Sequence, residues 1–258
     1  MKRKYTLKEM HEFFLEMLRE FHEFCVANQL TYYMVGGTLL GAVRNKGFIE
    51  WDDDVDVAMP RPDYERFLKI YKGNMFVVSH HTEYDYSYPY AKLLYKKMPV
   101  ISVRDEEFDI DSKSFLCFDI YPIDGLGSEM RRAKKIIRRV EFYKRLLYIN
   151  VTDELSQNIV KAIGARMIRK YPTKNLLTKI DVIMQSYAFD KSKYVTRWRV
   201  PTMENVVDKG VFGSPVLMDF ETLKLYAPAE SIKCIFNMFM ETIKHRKRKI
   251  NIYDMTSM

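Results

Sequence analysis

Cysteine is scarce and scattered: Cys25, Cys117 and Cys234 are the only three, far apart and in no CxxC pair. That excludes a disulfide framework and a zinc knuckle, and leaves each as a small apolar side chain of the interior. Glycine and proline are sparse too, at 10 and 9 of 258 residues, so the chain is neither collagen-like nor of low complexity. No apolar run approaches the ~18–20 residues that cross a bilayer. The opening MKRKYTLKEMHEFF has no apolar stretch of the kind a secretory leader carries, and the expectation is a cytoplasmic protein. Internal repeats and Ser/Gly-rich linkers are missing, which excludes solenoids and marks no clean domain boundary. What remains, 47% hydrophobic and 29% charged residues, describes a chain able to bury a substantial core in one or two domains.

The net charge of +8 is local. Residues 131–150 (RRAKKIIRRVEFYKRLLYIN) carry eight Lys/Arg and one acid, and 244–249 (KHRKRK) carry five Lys/Arg. Setting these aside leaves 29 bases against 33 acids, a net charge of −4. A protein that tracks a nucleic-acid backbone spreads its bases over one continuous face, so two separate clusters make nucleic acid a poor candidate and suit an anionic membrane surface or a polyanionic acceptor. Charge alone does not choose between them.

Along the chain, Thr6 and Glu9 form a capping-box pair ahead of Leu7, Met10, Phe14, Leu18, Phe21 and Cys25, spaced at three and four, which predicts an amphipathic helix. Thr31–Val35 reads as a short buried strand stopped by Gly36-Gly37. Trp51–Ala58 alternates carboxylates and valines in the period of a strand. Pro60 and Pro62 end it, and Asp63–Tyr71 reads as a helix closed by Gly73-Asn74. Further strands are expected at Met75–Ser79, Tyr90–Tyr95, Val100–Val103 and Phe115–Ile120. From about residue 128 the pattern turns helical, with Ile136, Val140, Tyr143 and Leu147 on one face and Arg131, Arg132, Lys135, Arg138, Arg139 and Arg145 largely off it. That arrangement suits either a solvated surface helix over a core or a helix lying on an anionic leaflet. An α/β front half followed by a mostly helical back half is the expected architecture.

Chemistry concentrates at Asp52, Asp53, Asp54 and Asp56, four carboxylates in five positions. Such crowding costs folding energy unless water, a cation or a metal neutralises it. In a strand, Asp54 and Asp56 would share a face ~6.5–7 Å apart, within reach of one divalent ion or of two ions, with Val55 and Val57 pointing inward. Hard oxygens with no neighbouring His or Cys favour Mg2+ or Mn2+ over zinc. A bare DDDVD is equally compatible with a solvated acidic loop, and the alternation tips the reading to a strand. Upstream, Gly36-Gly37-Thr38 is read as a turn ahead of a helix beginning in LLGAVR, where backbone N–H groups, a hydroxyl and the helix dipole would cradle a phosphate. Phosphate donors followed by an Asp-x-Asp strand are what phosphoryl transfer requires. Asp119 is polar in an apolar strand and fits either catalysis or a strand-end cap. Asp124 belongs to the turn Pro122–Gly125. His11, His22, His80, His81 and His245 show no ligand-set spacing, so no metal or acid–base role is expected of them.

Residues 37–57, GTLLGAVRNKGFIEWDDDVDV, resemble the signature of the LicD family, which includes bacterial phosphocholine transferases and is related to the fukutin-related glycan-modifying enzymes. The resemblance extends to CFDIYPIDG at 117–125 and to the first helix, and fades after residue 130. It implies a nucleotidyltransferase-like mixed sheet with flanking helices over 1–127, and a mostly helical region over 128–258 packed on it. By resemblance, Gly36, Gly37 and Thr38 hold the phosphate. Asp54 and Asp56 bind metal and act in catalysis, Asp119 supplies the third carboxylate, and Arg44 and Lys92 stand near the nucleotide. The implied activity is Mg2+- or Mn2+-dependent transfer of phosphocholine, or another phosphorylated alcohol, from CDP-choline or a related CDP-alcohol to a hydroxyl of a cell-surface glycan, with release of CMP. The acceptor would be lipid-linked or free, the protein cytoplasmic or peripheral at the inner membrane face through residues 131–149. Two other readings stay open: a nucleotidyltransferase that releases pyrophosphate, and a non-catalytic module for membranes or nucleic acid built on the basic clusters. The chain departs from the family pattern at Asn45 and Glu50, commonly His and Pro, and at its late acidic-aromatic-Gly segment, which here runs straight into bases. Asp219-Phe220-Glu221 and Pro228 do fit the late pattern.

Overall fold

The computed structural model describes residues 5–82, 86–99, 115–151, 171–196, 202 and 205–234. The expected strand at 100–103 and the basic run at 244–249 lie outside them. Helix α1 (Leu7–Ala27) opens on the predicted capping box: the Thr6 amide donates to Glu9 Oε2 at 2.8 Å and the Glu9 amide to Thr6 Oγ1 at 3.3 Å. Its buried stripe, Met10, Phe14, Met17, Leu18, Phe21 and Cys25, contains the predicted positions except Leu7. Phe21 packs edge-on against Tyr32, Phe67 and Phe118, with centroids 4.9–5.3 Å apart, so the helix is tied to the sheet and to the helix beside it by one aromatic node.

A mixed five-stranded sheet carries the front half, in the order β1-β2-β5-β4-β3. Its strands are β1 (Tyr33–Met34), β2 (Asp56–Pro60), β3 (Phe76–Val78), β4 (Ala91–Pro99) and β5 (Phe115–Ile123), with α2 (Gly36–Asn45) and α3 (Arg61–Ile70) between them. β2 and β5 run parallel, and every other neighbouring pair is antiparallel. Leu116, Phe118 and Ile120 are buried while Cys117 and Asp119 between them are only half-buried, the period-2 alternation of a strand with one core face. The expectation of an α/β fold with a mixed sheet and flanking helices holds.

Two details differ from the reading of the sequence. The expected strand over 51–58 starts only at Asp56. The Asp52 amide turns back to the Ile49 carbonyl at 2.9 Å, and the Asp52 carbonyl meets His11 Nε2 at 2.7 Å, so Asp52–Asp54 form a pinned loop ahead of the sheet. Gly36-Gly37-Thr38, read as a turn before a helix, is instead the first turn of α2.

Beyond residue 128, α4 (Met130–Val151) and α5 (Thr173–Met184) are helical as expected. The described residues after them add two short hairpins, β6 (Tyr194–Thr196) with β7 (Val206–Asp208), and β8 (Val216–Phe220) with β9 (Leu223–Ala227). The apolar stripe of α4, Ala133, Ile136, Ile137, Val140 and Leu147, meets Leu176, Leu177, Ile180 and Met184 of α5 in a second core, so that stripe faces protein and the bases lie outside. Packing does not follow chain order: Val195, Val211, Phe212, Phe220, Leu225, Ala227 and Cys234 belong to the first core with α1 and the sheet.

Asp124, read as a turn residue, is instead 2% exposed and binds Arg61 in a two-pronged pair at 2.6 and 2.9 Å. Arg61 also donates to Glu65 at 3.0 Å and to Asp181 of α5 at 2.9 Å, joining α3, the end of β5 and α5. Removing one partner of a buried, bidentate pair leaves an uncompensated charge. Asp124→Ala is therefore expected to lower unfolding free energy by about 3 kcal/mol, whereas Glu65→Ala, whose side chain is 30% exposed, costs under about 1 kcal/mol. Urea denaturation of the two variants checks the ordering.

Candidate active site

Three adjacent strands bring three predicted residues together by register. On the parallel pair β2–β5, Asp56 lies opposite Asp119, and on β4–β5, Lys92 lies opposite Asp119. Lys92 Nζ donates to Asp119 Oδ1 at 2.7 Å. The Tyr121 hydroxyl, on the same face of β5 two residues on, stands 2.8 Å from Asp119 Oδ2 and 3.2 Å from Asp56 Oδ1. A phenol carries one proton, so it serves both carboxylates in turn or as a forked donor. Burial first, then the Asp56 and Asp119 carboxylates, press its pKa far above the tyrosine range, and it remains a donor. Burial weakens the Lys92 ammonium, but Cys117 and Asp119 outweigh that and hold its pKa above the ordinary lysine value. Burial also raises the Cys117 thiol, so the effective counter-charge of Lys92 is Asp119.

The start of α2 closes the other side. Gly36 has φ of +59°, and a Cβ there would lie 2.6 Å from Asp56 Oδ2; one on Gly37 would lie 2.4 Å from Asp52 Oδ2. Only glycine lets these carboxylates approach the backbone so closely. Thr38 Oγ1 accepts the Asp56 amide at 2.9 Å, fixing the first residue of β2 to the helix. The dipole end predicted to meet a phosphate thus already meets Asp52 and Asp56. Asp54 is exposed on the pinned loop, two residues ahead of half-buried Asp56, with Val55 buried between them. The predicted alternation survives in burial although the strand does not reach that far. Arg44 is not drawn into this group: it sits in the last turn of α2, where it donates to Asn45 and lies 5.8 Å over the Trp51 ring.

Several residues of the site went unread in the sequence. Tyr121 had a signal, since residues i and i+2 of a strand share a face and Asp119 was already singled out. Tyr88 and Tyr90, whose rings lie 5.1 and 5.8 Å from Lys92 Nζ, sat in a tyrosine-rich run with no pattern to interpret. The support of the acidic loop had no local signal at all. His11 stacks on Phe48 at 4.0 Å, Phe48 meets Phe220 edge-on at 4.8 Å, and Glu221 accepts the Phe48 amide at 3.0 Å. The tip of the β8–β9 hairpin therefore braces the loop that carries the aspartates.

Asp56 and Asp119 offer hard oxygens and no competing imidazole, the donor set that suits Mg2+ or Mn2+. The Tyr121 hydroxyl shared by the two acids and the Lys92 ammonium on Asp119 offset part of their negative charge. Carboxylates for a cation, a lysine beside them and a helix N-terminus against them are an arrangement suited to binding and polarising a diphosphate.

Residues 29–147 match the model of the family described as LicD/FKTN/FKRP, nucleotidyltransferase domain. Among curated proteins, the chain is similar to the lipopolysaccharide cholinephosphotransferase LicD of Haemophilus influenzae, 46% identical over 69 residues that make up 27% of this chain and 26% of that protein. It is also similar to uncharacterized proteins of Rickettsia typhi, 35% identical over 69 residues (26% and 22% of the two chains), and of Rickettsia prowazekii, 32% identical over 73 residues (27% of each). The aligned stretch spans about a quarter of the length of these relatives.

The approach of Asp56 to Gly36 yields a direct test. Gly36→Ala adds both a left-handed strain and a clash with Asp56 Oδ2, and is expected to lower stability by about 1–3 kcal/mol. Thermal unfolding measures it, and an unchanged melting temperature would mean that the two do not pack as described.

Proposed function

We propose, for a chain whose residues 29–147 carry a LicD-family nucleotidyltransferase domain, that it transfers phosphocholine or a related phosphorylated alcohol from a CDP-linked donor to a hydroxyl of a cell-surface glycan, with release of CMP. The observation that carries this reading is the register pairing of Asp56 with Asp119 on parallel strands, with Lys92 and the Tyr121 hydroxyl against them. The similarity to a lipopolysaccharide cholinephosphotransferase over 69 residues supports the transferred group and the acceptor class. Residues 1–127 would form the catalytic core and 128–258 the region completed around it.

Asp56 and Asp119, with Asp54 on the exposed loop, would hold a divalent cation. Mg2+ bound there supplies charge neutralisation for the diphosphate and the departing CMP. Lys92, anchored by Asp119, adds a fixed positive charge beside the phosphates, a contact that gains strength as charge develops on the leaving oxygen. Gly36 and Gly37 leave room for the Asp56 and Asp52 carboxylates at the helix start, and Thr38 fixes the Asp56 amide. Asp119 would either complete that cation site or take the proton of the attacking hydroxyl. Arg44, over Trp51, would meet the nucleotide only at the outer edge of the site. The faces of Tyr88 and Tyr90, already paired with an ammonium, suit the trimethylammonium group of choline.

The bases of α4 other than half-buried Lys144 are exposed, as are Phe142 and Tyr148, at 57% and 56%. They support a peripheral contact with an anionic membrane that carries the acceptor. Among the described residues, no helix is long and apolar enough to cross a membrane.

Incubation with CDP-choline, CDP-ribitol and CDP-glycerol plus Mg2+ and a glycan acceptor should release CMP, fastest from the preferred donor. Asp56→Asn and Asp119→Asn should each lower that rate by about 10²–10³-fold. Retention of more than about a tenth of the activity in both variants, or pyrophosphate as the product from CTP, would overturn the reading.

A further inference from the structure

Away from the sheet carboxylates, one cluster of ligating side chains has no role in the transfer just described. Strand β3 runs into a tight turn in which the Ser79 amide donates to Thr82 Oγ1 at 2.9 Å, the Thr82 amide to the Ser79 carbonyl at 3.0 Å and the His81 amide to Ser79 Oγ at 3.2 Å. The turn presents two adjacent imidazoles to α5. His80 is 3% exposed, and neither of its ring nitrogens has a hydrogen-bond partner. A buried polar group left without a partner is destabilising and rare. Asp181 of α5 faces it: His80 Nε2 lies 4.0 Å and His81 Nε2 3.5 Å from Asp181 Oδ2. One ligand atom from each of the three residues lies within 4.8 Å of the others. A tetrahedral zinc ion with bonds of ~2.0–2.1 Å spaces its ligands ~3.4 Å apart, so small rotations of the two rings close the set.

We propose that His80, His81 and Asp181 form a second cation site, which takes a borderline transition-metal ion of the zinc class and ties the β3–β4 turn to α5. Two imidazoles and one carboxylate are the ligand chemistry of such ions and not of Mg2+. Three carboxylates, Asp124, Glu65 and Asp181, surround the single Arg61 guanidinium. Lys174 of α5 adds one more positive charge near His80, and the group still carries a negative excess that a dication offsets. His81, with its side chain 47% exposed, gives the ion a path from solvent. Asp181 Oδ1 is held by Arg61 at 2.9 Å and Oδ2 by Gln185 at 2.7 Å, which orients the carboxylate as outer-shell partners orient metal ligands.

The test reads metal content, independently of turnover. The full chain is stripped with chelator, reloaded with Zn2+, dialysed and assayed for bound metal and for melting temperature with and without Zn2+. Wild type and Asp56→Asn should each retain about one Zn2+ per chain and melt higher with it. His81→Ala, a replacement at an exposed side chain that spares the core, and Asp181→Asn, which preserves shape, should bind about tenfold or more weakly. Failure of wild type to retain Zn2+, equal retention by His81→Ala, or loss of Zn2+ in Asp56→Asn would each overturn the site. The last result would place the ion at the sheet carboxylates.

Discussion

Parallel pairing of β2 with β5 sets two carboxylates side by side, and much of the surrounding structure compensates for that placement. Asp56 and Asp119 occupy opposite positions in the ladder, a like-charge juxtaposition that a sheet avoids unless positive or donor groups relieve it. Each relief is visible. The Tyr121 hydroxyl stands between the two acids, Lys92 comes in from the next strand, and the first turn of α2 brings its dipole end against Asp56. On the proposed reading, a cation takes over the role that the Tyr121 hydroxyl and Lys92 now play between the two acids.

The rest of the fold backs this face and keeps its edge firm. α1 and the aromatic node at Phe21 cover the opposite, apolar side of the sheet. The acidic loop, which has no strand to hold it, is fixed by the Asp52 carbonyl on His11, by the stack of His11 on Phe48 and by the edge-on contact of Phe48 with Phe220. Phe220 and Glu221, beyond the matched family segment, therefore brace the loop that carries the aspartates. Arg61, with Asp124, Glu65 and Asp181, fastens α5 to the same core.

What could be read from the sequence follows from how local each signal was. The capping box at Thr6, the strand alternation around Asp119 and the acid cluster are short-range patterns, and they point to α1, to β5 and to the acids that the fold places in register, Asp56 and Asp119. The extent of β2 was misread because the alternation of Asp54 and Asp56 mimics a strand. A long-range contact from His11 decides where pairing starts. Tyr121 follows from the period-2 rule, two residues beyond Asp119 on the same face of β5. The pairing of His80 and His81 with Asp181 spans about a hundred positions of chain, and Arg61 with Asp124 spans sixty-three. No spacing rule connects residues that only the tertiary fold brings together.

The most direct test of the claim that Asp56 and Asp119 form a cation site for a diphosphate is a crystal structure of the protein with Mn2+ and CDP-choline, read by anomalous scattering. A peak bonded to both carboxylates, with the diphosphate on its open side beside Lys92, is the result expected. A diphosphate bound elsewhere, or manganese that leaves the Asp56–Tyr121–Asp119 bridge untouched, would contradict it.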